Sequence, residues 1–163
     1  MRNYRKEKTI DQVFILCGGL GSRLGKITKK TPKPLIKFNN KPFLDYILKS
    51  IARHNIKNIF LLCGYKDKLF TKRYDNKKIL NSKIKCIVEP KPLGSGGALY
   101  NARKYMDNNF FLVNGDTFYE INFNDFALDF LNSKKILGIA SLKKRGKRYL
   151  NIYKKNQKYF FSK

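Results

Sequence analysis

Tryptophan is absent from this chain of 163 residues, histidine occurs once, cysteine three times, and carboxylates are scarce at 11 Asp+Glu. Each shortage excludes something. Cys17, Cys63 and Cys86 show neither C-x-x-C spacing nor a His/Cys cluster, so a disulfide framework or a zinc site has no support. Each lies in or at the end of an apolar run, which reads as a buried thiol in a reducing compartment. His54 follows a helical pattern and reads as a solvated helix end. With one His, no Ser/His/Asp or Cys/His pairing is available for nucleophilic catalysis. No apolar run approaches the ~18 residues of a membrane span, and the charged start from Met1 to Gln12 leads into no signal-peptide core. The expectation is a cytoplasmic domain without membrane contact, with residues 1–12 as an N-terminal extension and 13–163 as one domain.

What the chain has is positive charge: 36 Lys+Arg and a formal net charge of +25. Clustered Lys/Arg neutralise phosphates, which suggests nucleic acid. Against that, 28 of the 36 are Lys, and Lys, Asn, Ile, Phe and Tyr make up about half the chain, the pattern of an AT-rich coding sequence. The distribution is uneven, because 11 basic residues and no carboxylate follow Asp129. Hydrophobic content of 42% with 14% aromatic residues excludes a disordered chain.

Apolar runs at Gln12–Cys17, Asn58–Cys63, Lys83–Val88, Asn109–Asn114 and Ile136–Leu142 read as buried strands. Between them, Pro42 opens a helix with Leu44, Ile47, Leu48 and Ile51 on one face. Lys66 to Tyr74 reads as a short helix, and Ser95 caps another with Leu99, Ala102 and Met106 inward. Phe126 to Leu131 is helical or turn-like, and Arg148–Tyr153 with Tyr159–Phe161 form a hairpin. The alternation predicts an α/β fold, a mostly parallel sheet with helices on both faces and right-handed crossovers. Ligands of such sheets sit at the carboxyl ends of the strands.

Four segments fall on that edge or beside it. Leu16-Cys17-Gly18-Gly19-Leu20-Gly21-Ser22-Arg23-Leu24 runs from a strand into a glycine loop whose amides can turn toward an anion, with the Arg23 fork suited to phosphate. It fits neither the P-loop nor the G-x-G-x-x-G fingerprint, where Leu24 stands at the third glycine. Pro32-Lys33-Pro34-Leu35 presents one ammonium from a stiff backbone. Glu89-Pro90-Lys91-Pro92-Leu93-Gly94-Ser95-Gly96-Gly97 turns a strand end into a glycine-rich helix start. Asn114-Gly115-Asp116-Thr117 ends another strand; alone it reads as a turn, yet a carboxylate there can hold Mg²⁺ beside substrate phosphates.

In this order and spacing the segments resemble the sugar-phosphate nucleotidylyltransferases, whose G-G-x-G-[ST]-R-L and P-K-P-L motifs are matched by Gly18–Leu24 and Pro32–Leu35. Pro92 to Ala98, Asn114 to Thr117 and Asn40 to Leu44 look most like the D-glycero-D-manno-heptose 1-phosphate guanylyltransferase branch. The resemblance implies a Rossmann-like nucleotide-diphospho-sugar transferase fold. It implies transfer of a nucleotidyl group from a nucleoside triphosphate, GTP in that branch, to a sugar 1-phosphate, with release of pyrophosphate, in the service of cell-surface polysaccharide. Carried over by position, Leu16, Cys17, Gly18 and Gly19 face base and ribose, and Gly21, Ser22 and Arg23 hold the β and γ phosphates. Lys33 sits by the α-phosphate, Glu89, Gly94 and Ser95 border the base, and Asp116 binds Mg²⁺. Arg23, Lys33 and Asp116 form the implied catalytic set.

The chain departs from the family in its last part. Beyond the hairpin the family supplies sugar contacts and a second metal-binding Asp, and Lys163 precedes both, so the expectation is a domain incomplete at its C-terminus. Leu150 stands where that branch often has a Gly after Arg-Tyr. An inactive nucleotide-binding remnant is the alternative reading. Nucleic-acid binding on charge alone is the third, and it lacks a helix-turn-helix, a zinc finger or RNP-like aromatics. A homo-oligomer stays open.

Overall fold

The computed structural model describes residues 9–19, 21, 25–133, 151–155 and 158–162, with backbone alone for residue 26 and the last two segments. The expected strand at Ile136–Leu142, together with Leu20, Ser22, Arg23, Leu24, Arg148 and Leu150, lies outside the described residues.

Among the described residues five strands form one sheet. In chain order they are β1 (Gln12–Leu16), β4 (Asn58–Cys63), β5 (Lys78–Ile79), β6 (Ser82–Val88) and β7 (Phe111–Asn114), and in space β5-β6-β4-β1-β7. All pairings are parallel except β5 with β6. Between β1 and β4 lie α1 (Lys26–Lys30), a 3-10 turn (Lys33–Leu35), a small hairpin of β2 (Lys37–Phe38) and β3 (Lys41–Pro42), and α2 (Phe43–Ala52). α3 (Asp67–Tyr74) follows β4, α4 (Gly94–Asn101) follows β6, and α5 (Phe123–Asn132) follows β7. β8 (Asn151–Lys155) and β9 (Lys158–Ser162) pair antiparallel, as the sequence leads one to expect.

The unbroken apolar runs have their cause in burial of both sheet faces. Alternate residues of β1 part company: Val13 and Ile15, with Cys17 just beyond the strand, pack with α2, α3 and α5, whereas Phe14 packs with α4. On the first side Leu44, Ile47, Leu48 and Ile51 project from α2, Phe70 and Tyr74 from α3, and Phe123 and Ala127 from α5. Each aliphatic side chain so buried contributes roughly 1.5–3 kcal/mol. On the second side Phe14 stacks on Phe60 at 4.8 Å and meets Phe110 edge-on at 5.2 Å, above Ala98 and Ala102. Small residues on α4 let that helix approach the aromatic layer.

Several expectations change in detail. Pro42 ends β3 and opens α2 from the N-cap position, one residue ahead of the first helical residue. Ser95 does not cap α4: it is the second helical residue, Leu93 holds the cap position, and no side chain caps there. α5 starts at Phe123, earlier than its apolar pattern suggests, because the Asn122 side chain accepts from the amides of Asn124 and Asp125. Gln12, the last residue of the expected extension, belongs to β1, and Ile10 is buried in the core. The buried amide of Gln12 is satisfied, donating to the Tyr105 carbonyl at 2.8 Å and accepting from the Asp107 amide at 3.0 Å. Cys17 and Cys63 are buried as expected, whereas Cys86 is half-buried. His54 is also half-buried, its ring 5.4 Å from that of Phe123.

Candidate functional site

β1 and β7 run parallel and side by side, so the loops that leave them share one edge of the sheet. The Gly115 amide donates to the Leu16 carbonyl at 2.9 Å and ties those two strand ends together. Asp116 then follows immediately. Its Oδ2 lies 2.8 Å from Lys33 Nζ, and its Oδ1 accepts from the Thr117 hydroxyl at 3.1 Å. Lys33 reaches it from the 3-10 turn Lys33–Leu35, anchored by the fully buried Pro32 and by buried Pro34 and Leu35. The prolines therefore do what their spacing implies: an inflexible, core-fixed segment delivers one ammonium to the strand edge. Burial alone raises the Asp116 carboxyl, but the Lys33 hydrogen bond and charge outweigh it, and the net direction is down. Asp116 is ionised at neutral pH and both partners stay partly open to solvent, at 39% and 38% exposure.

The glycine loop is braced from below. Gly21 has φ +63°, a left-handed conformation suited to glycine. A Cβ there would also stand 2.9 Å from Thr28 Cγ2. The Thr28 hydroxyl, on α1, lies 3.1 Å from the Gly21 carbonyl and 3.2 Å from that of Gly25. α1 is held in turn at its far end. Lys66 Nζ donates to the carbonyls of Lys29 at 2.6 Å and Lys30 at 2.9 Å, and the Tyr65 hydroxyl donates to Lys29 at 3.2 Å. A cation on the last carbonyls of a helix is favourable both as hydrogen bond and against the helix dipole.

Glu89 fills the gap between β1, β4 and α4. Its amide donates to the Cys63 carbonyl at 2.8 Å, and its Oε2 accepts from the Leu93 amide at 3.0 Å. Its other oxygen presses on Gly18, where a Cβ would come within 2.8 Å of Oε1 and 3.2 Å of the Gly64 amide nitrogen. Gly18 is thus required by close approach. The half-buried Glu89 is held in place beside the first glycines of the loop. Gly94, with φ +69°, and Ser95 are exposed in the first turn of α4. Gly19 has open space beside it.

The structure therefore brings together Leu16–Gly19, Gly21, Lys33, Glu89 and Asp116, while Ser22 and Arg23 lie outside the described residues. Cys17 lines the same edge as an inert group: burial first, then the nearby Cys86 and Asp116, push its thiol well above the ordinary range. Thr28, Tyr65 and Lys66 were not legible as site residues. Nothing in their spacing marks a brace, and Lys66 takes a left-handed conformation (φ 55°) that lysine seldom adopts.

For Mg²⁺ the donor chemistry fits in kind. Asp116 offers hard carboxylate oxygens at the strand edge, and Mg²⁺ binds through one or two such groups plus phosphate. Among the described residues no group of three or more His, Cys, Asp or Glu gathers around a metal-sized space. No helix among them is long and apolar enough to cross a membrane.

Residues 12–149 match the nucleotidyl transferase family. A D-glycero-alpha-D-manno-heptose 1-phosphate guanylyltransferase of Campylobacter jejuni is 41% identical over 118 residues, covering 72% of this chain and 53% of that protein. A bifunctional protein GlmU of Methanococcus vannielii is 36% identical over 129 residues, 78% of this chain and 29% of that one. Among solved structures, HddC from Yersinia pseudotuberculosis complexed with GMP-PN superposes with a TM-score of 0.65 at 34% identity, over 76% of this chain and 54% of that chain. The chain thus spans about half the length of the heptose relative, and less than that of the bifunctional one.

Proposed function

The chain belongs to the nucleotidyl transferase family, and on that premise we propose that it serves transfer of a guanylyl group from GTP to a heptose 1-phosphate, giving the NDP-sugar and pyrophosphate. The observation that carries the reading is the Lys33–Asp116 pair at 2.8 Å. It sets a cation and a carboxylate on the edge where the glycine loop begins, which suits the α-phosphate of a triphosphate and the Mg²⁺ that accompanies it. The heptose and guanine parts of the proposal rest on the likeness to the heptose 1-phosphate guanylyltransferase at 41% identity and to HddC complexed with GMP-PN at 34%.

In this reading Leu16, Cys17, Gly18 and Gly19 border base and ribose with backbone, and Glu89, Gly94 and Ser95 close the base side. Gly21, Ser22 and Arg23 hold the β and γ phosphates. Lys33 neutralises charge that develops at the α-phosphorus as the sugar phosphate oxygen attacks in line. In-line attack by the sugar phosphate oxygen requires no protein nucleophile. Mg²⁺, held through Asp116, supplies further neutralisation of the phosphates when bound. Positioning and fixed charge carry the acceleration. A cytoplasmic setting, a role in surface polysaccharide and self-association belong to the same proposal.

Because the chain spans about half of the heptose relative, nucleotide binding without turnover is the second reading. One assay separates them. Pyrophosphate release is scored over a panel of nucleoside triphosphates and sugar 1-phosphates with Mg²⁺, alongside calorimetric binding of each triphosphate. GTP with heptose 1-phosphate giving the fastest release supports the first reading. GTP binding with no release from any pair supports the second, and no triphosphate binding at all defeats both.

A further inference from the structure

A concave site lies on the α2/α3 side of the sheet, and among the described residues it shares none with the glycine-loop site. It is an open cleft of about 520 Å³, a size within the range of small-molecule sites. Among the described residues its wall carries Lys41, Lys49, Arg73, Lys77 and Lys78 against one carboxylate, Asp45. That carboxylate is already spent. Its Oδ2 accepts from Arg73 Nη2 at 2.8 Å and its Oδ1 from the Tyr74 hydroxyl at 2.6 Å. Among the described residues the four lysines form no ion pair, whereas Lys57, elsewhere, is paired with Asp11 at 2.8 Å.

A chain rich in lysine has many solvated cations, and on a convex face they need no explanation. Here they line a concavity, where low-dielectric walls focus the field and concentrate anions. The floor is apolar: buried Leu48 and Ile84 with half-buried Ile79, flanked by the rings of Tyr46 and Tyr74. Several converging cations over an apolar and aromatic floor match a small phosphorylated molecule with an organic part. They match a duplex poorly, since a duplex needs an extended basic track rather than one cleft of small-molecule size. The Asp45–Arg73–Tyr74 contacts fix the end of α3 on α2 and so set the shape of the wall.

We propose that the cleft between α2, the end of α3 and β5 binds a small anion bearing a diphosphate group, independently of the glycine-loop site. The four lysines meet its phosphoryl oxygens, and the apolar floor takes whatever organic part it carries.

The test uses inorganic pyrophosphate and ADP as probes, at near-physiological salt, with two readouts. Site-resolved lysine acetylation should slow severalfold at Lys41, Lys49, Lys77 and Lys78 when either probe is added. Calorimetry should show Lys49→Glu/Lys77→Glu weakening the probes by about tenfold or more, the scale expected when cations facing a phosphate are reversed. Lys68→Glu/Lys72→Glu makes the same change in net charge on exposed α3 positions outside the cleft, and should leave affinity within twofold. All four positions are exposed, and equal melting temperatures of the variants verify the fold. ADP binding more tightly than pyrophosphate assigns the cleft to nucleotides, and equal binding assigns it to the bare diphosphate. Protection confined to Lys33, or equal loss in both double variants, overturns the proposal.

Discussion

Lys33→Met separates a catalytic cation from a structural one. The pair it removes is short, 2.8 Å, but both side chains are more than a third exposed, at 39% and 38%. Solvent screening places such a pair at about 0–1 kcal/mol of stability. For a chain of this size that is a fall of at most about 4 °C in Tm. The fixed backbone around Lys33 does not depend on the ammonium, because Pro32, Pro34 and Leu35 are anchored by burial. The same ammonium aimed at a phosphate whose charge grows during transfer is worth far more, about 10²–10³ in rate, by analogy with removal of one preorganised donor. The expected outcome is a protein that melts nearly as the parent does, binds GTP with Mg²⁺ more weakly, and releases pyrophosphate at least a hundredfold more slowly where the parent turns over. Thermal unfolding, calorimetry and the release assay are run on the same samples. A fall in Tm beyond about 8 °C makes Lys33 a structural residue. GTP affinity and release both within twofold of the parent refute the reasoning outright.

Three further outcomes follow from the geometry. Gly18→Ala drives a Cβ to 2.8 Å from Glu89 Oε1 and 3.2 Å from the Gly64 nitrogen, so it should cost about 1–3 kcal/mol of overpacking; adding Glu89→Ala should recover at least about 0.5 kcal/mol in a double-mutant cycle of thermal melts, and strict additivity contradicts the contact. Thr28→Val keeps the shape but removes the hydroxyl beside the Gly21 and Gly25 carbonyls, and limited proteolysis should cut the glycine loop severalfold faster with Tm within a few degrees; unchanged cleavage denies Thr28 its bracing role. The Asp116 carboxyl, followed by carbon-detected NMR, should titrate below the ordinary 3.8 in the parent and rise in Lys33→Met. Because its folded value is depressed, the stability it contributes is present above that ordinary value and lost as pH falls through the folded one, and a midpoint unmoved by the substitution shows that Lys33 is not the cause.

Much of this architecture is legible before any coordinates. Asn58–Cys63 is a strand over the whole of its apolar run, and Leu44, Ile47, Leu48 and Ile51 face the core as their spacing requires. Those signals are strong because burial on both faces leaves no room for polar residues. The termini of helices are less readable, since they depend on who satisfies the end amides. Ser95 carries a cap residue's chemistry, but the helix begins one residue ahead of it, with Leu93 at the cap position and no side chain capping. Asn122 is an ordinary cap that the apolar pattern of α5 obscures, because Phe123 is buried in the first turn. For the site, the strand-edge rule puts Gly18 and Asp116 on one side of the sheet, but the contact of Lys33 with a residue 83 positions away comes only from the fold. The brace of Lys66 on α1 is beyond sequence reading for the same reason, since its partners are backbone carbonyls that any residue could supply.

The Lys33–Asp116 pair also sets terms for what can enter. An anion arriving alone must draw Lys33 away and leave a carboxylate without its counter-charge, and a divalent cation arriving alone must do the reverse to the lysine. A ligand that brings both exchanges one neutral pair for two, so neither fixed charge is left uncompensated. On the proposed function, triphosphate and metal would be coupled through this contact, each raising the affinity of the other by the same factor, and the coupling should disappear when either partner of the pair is replaced.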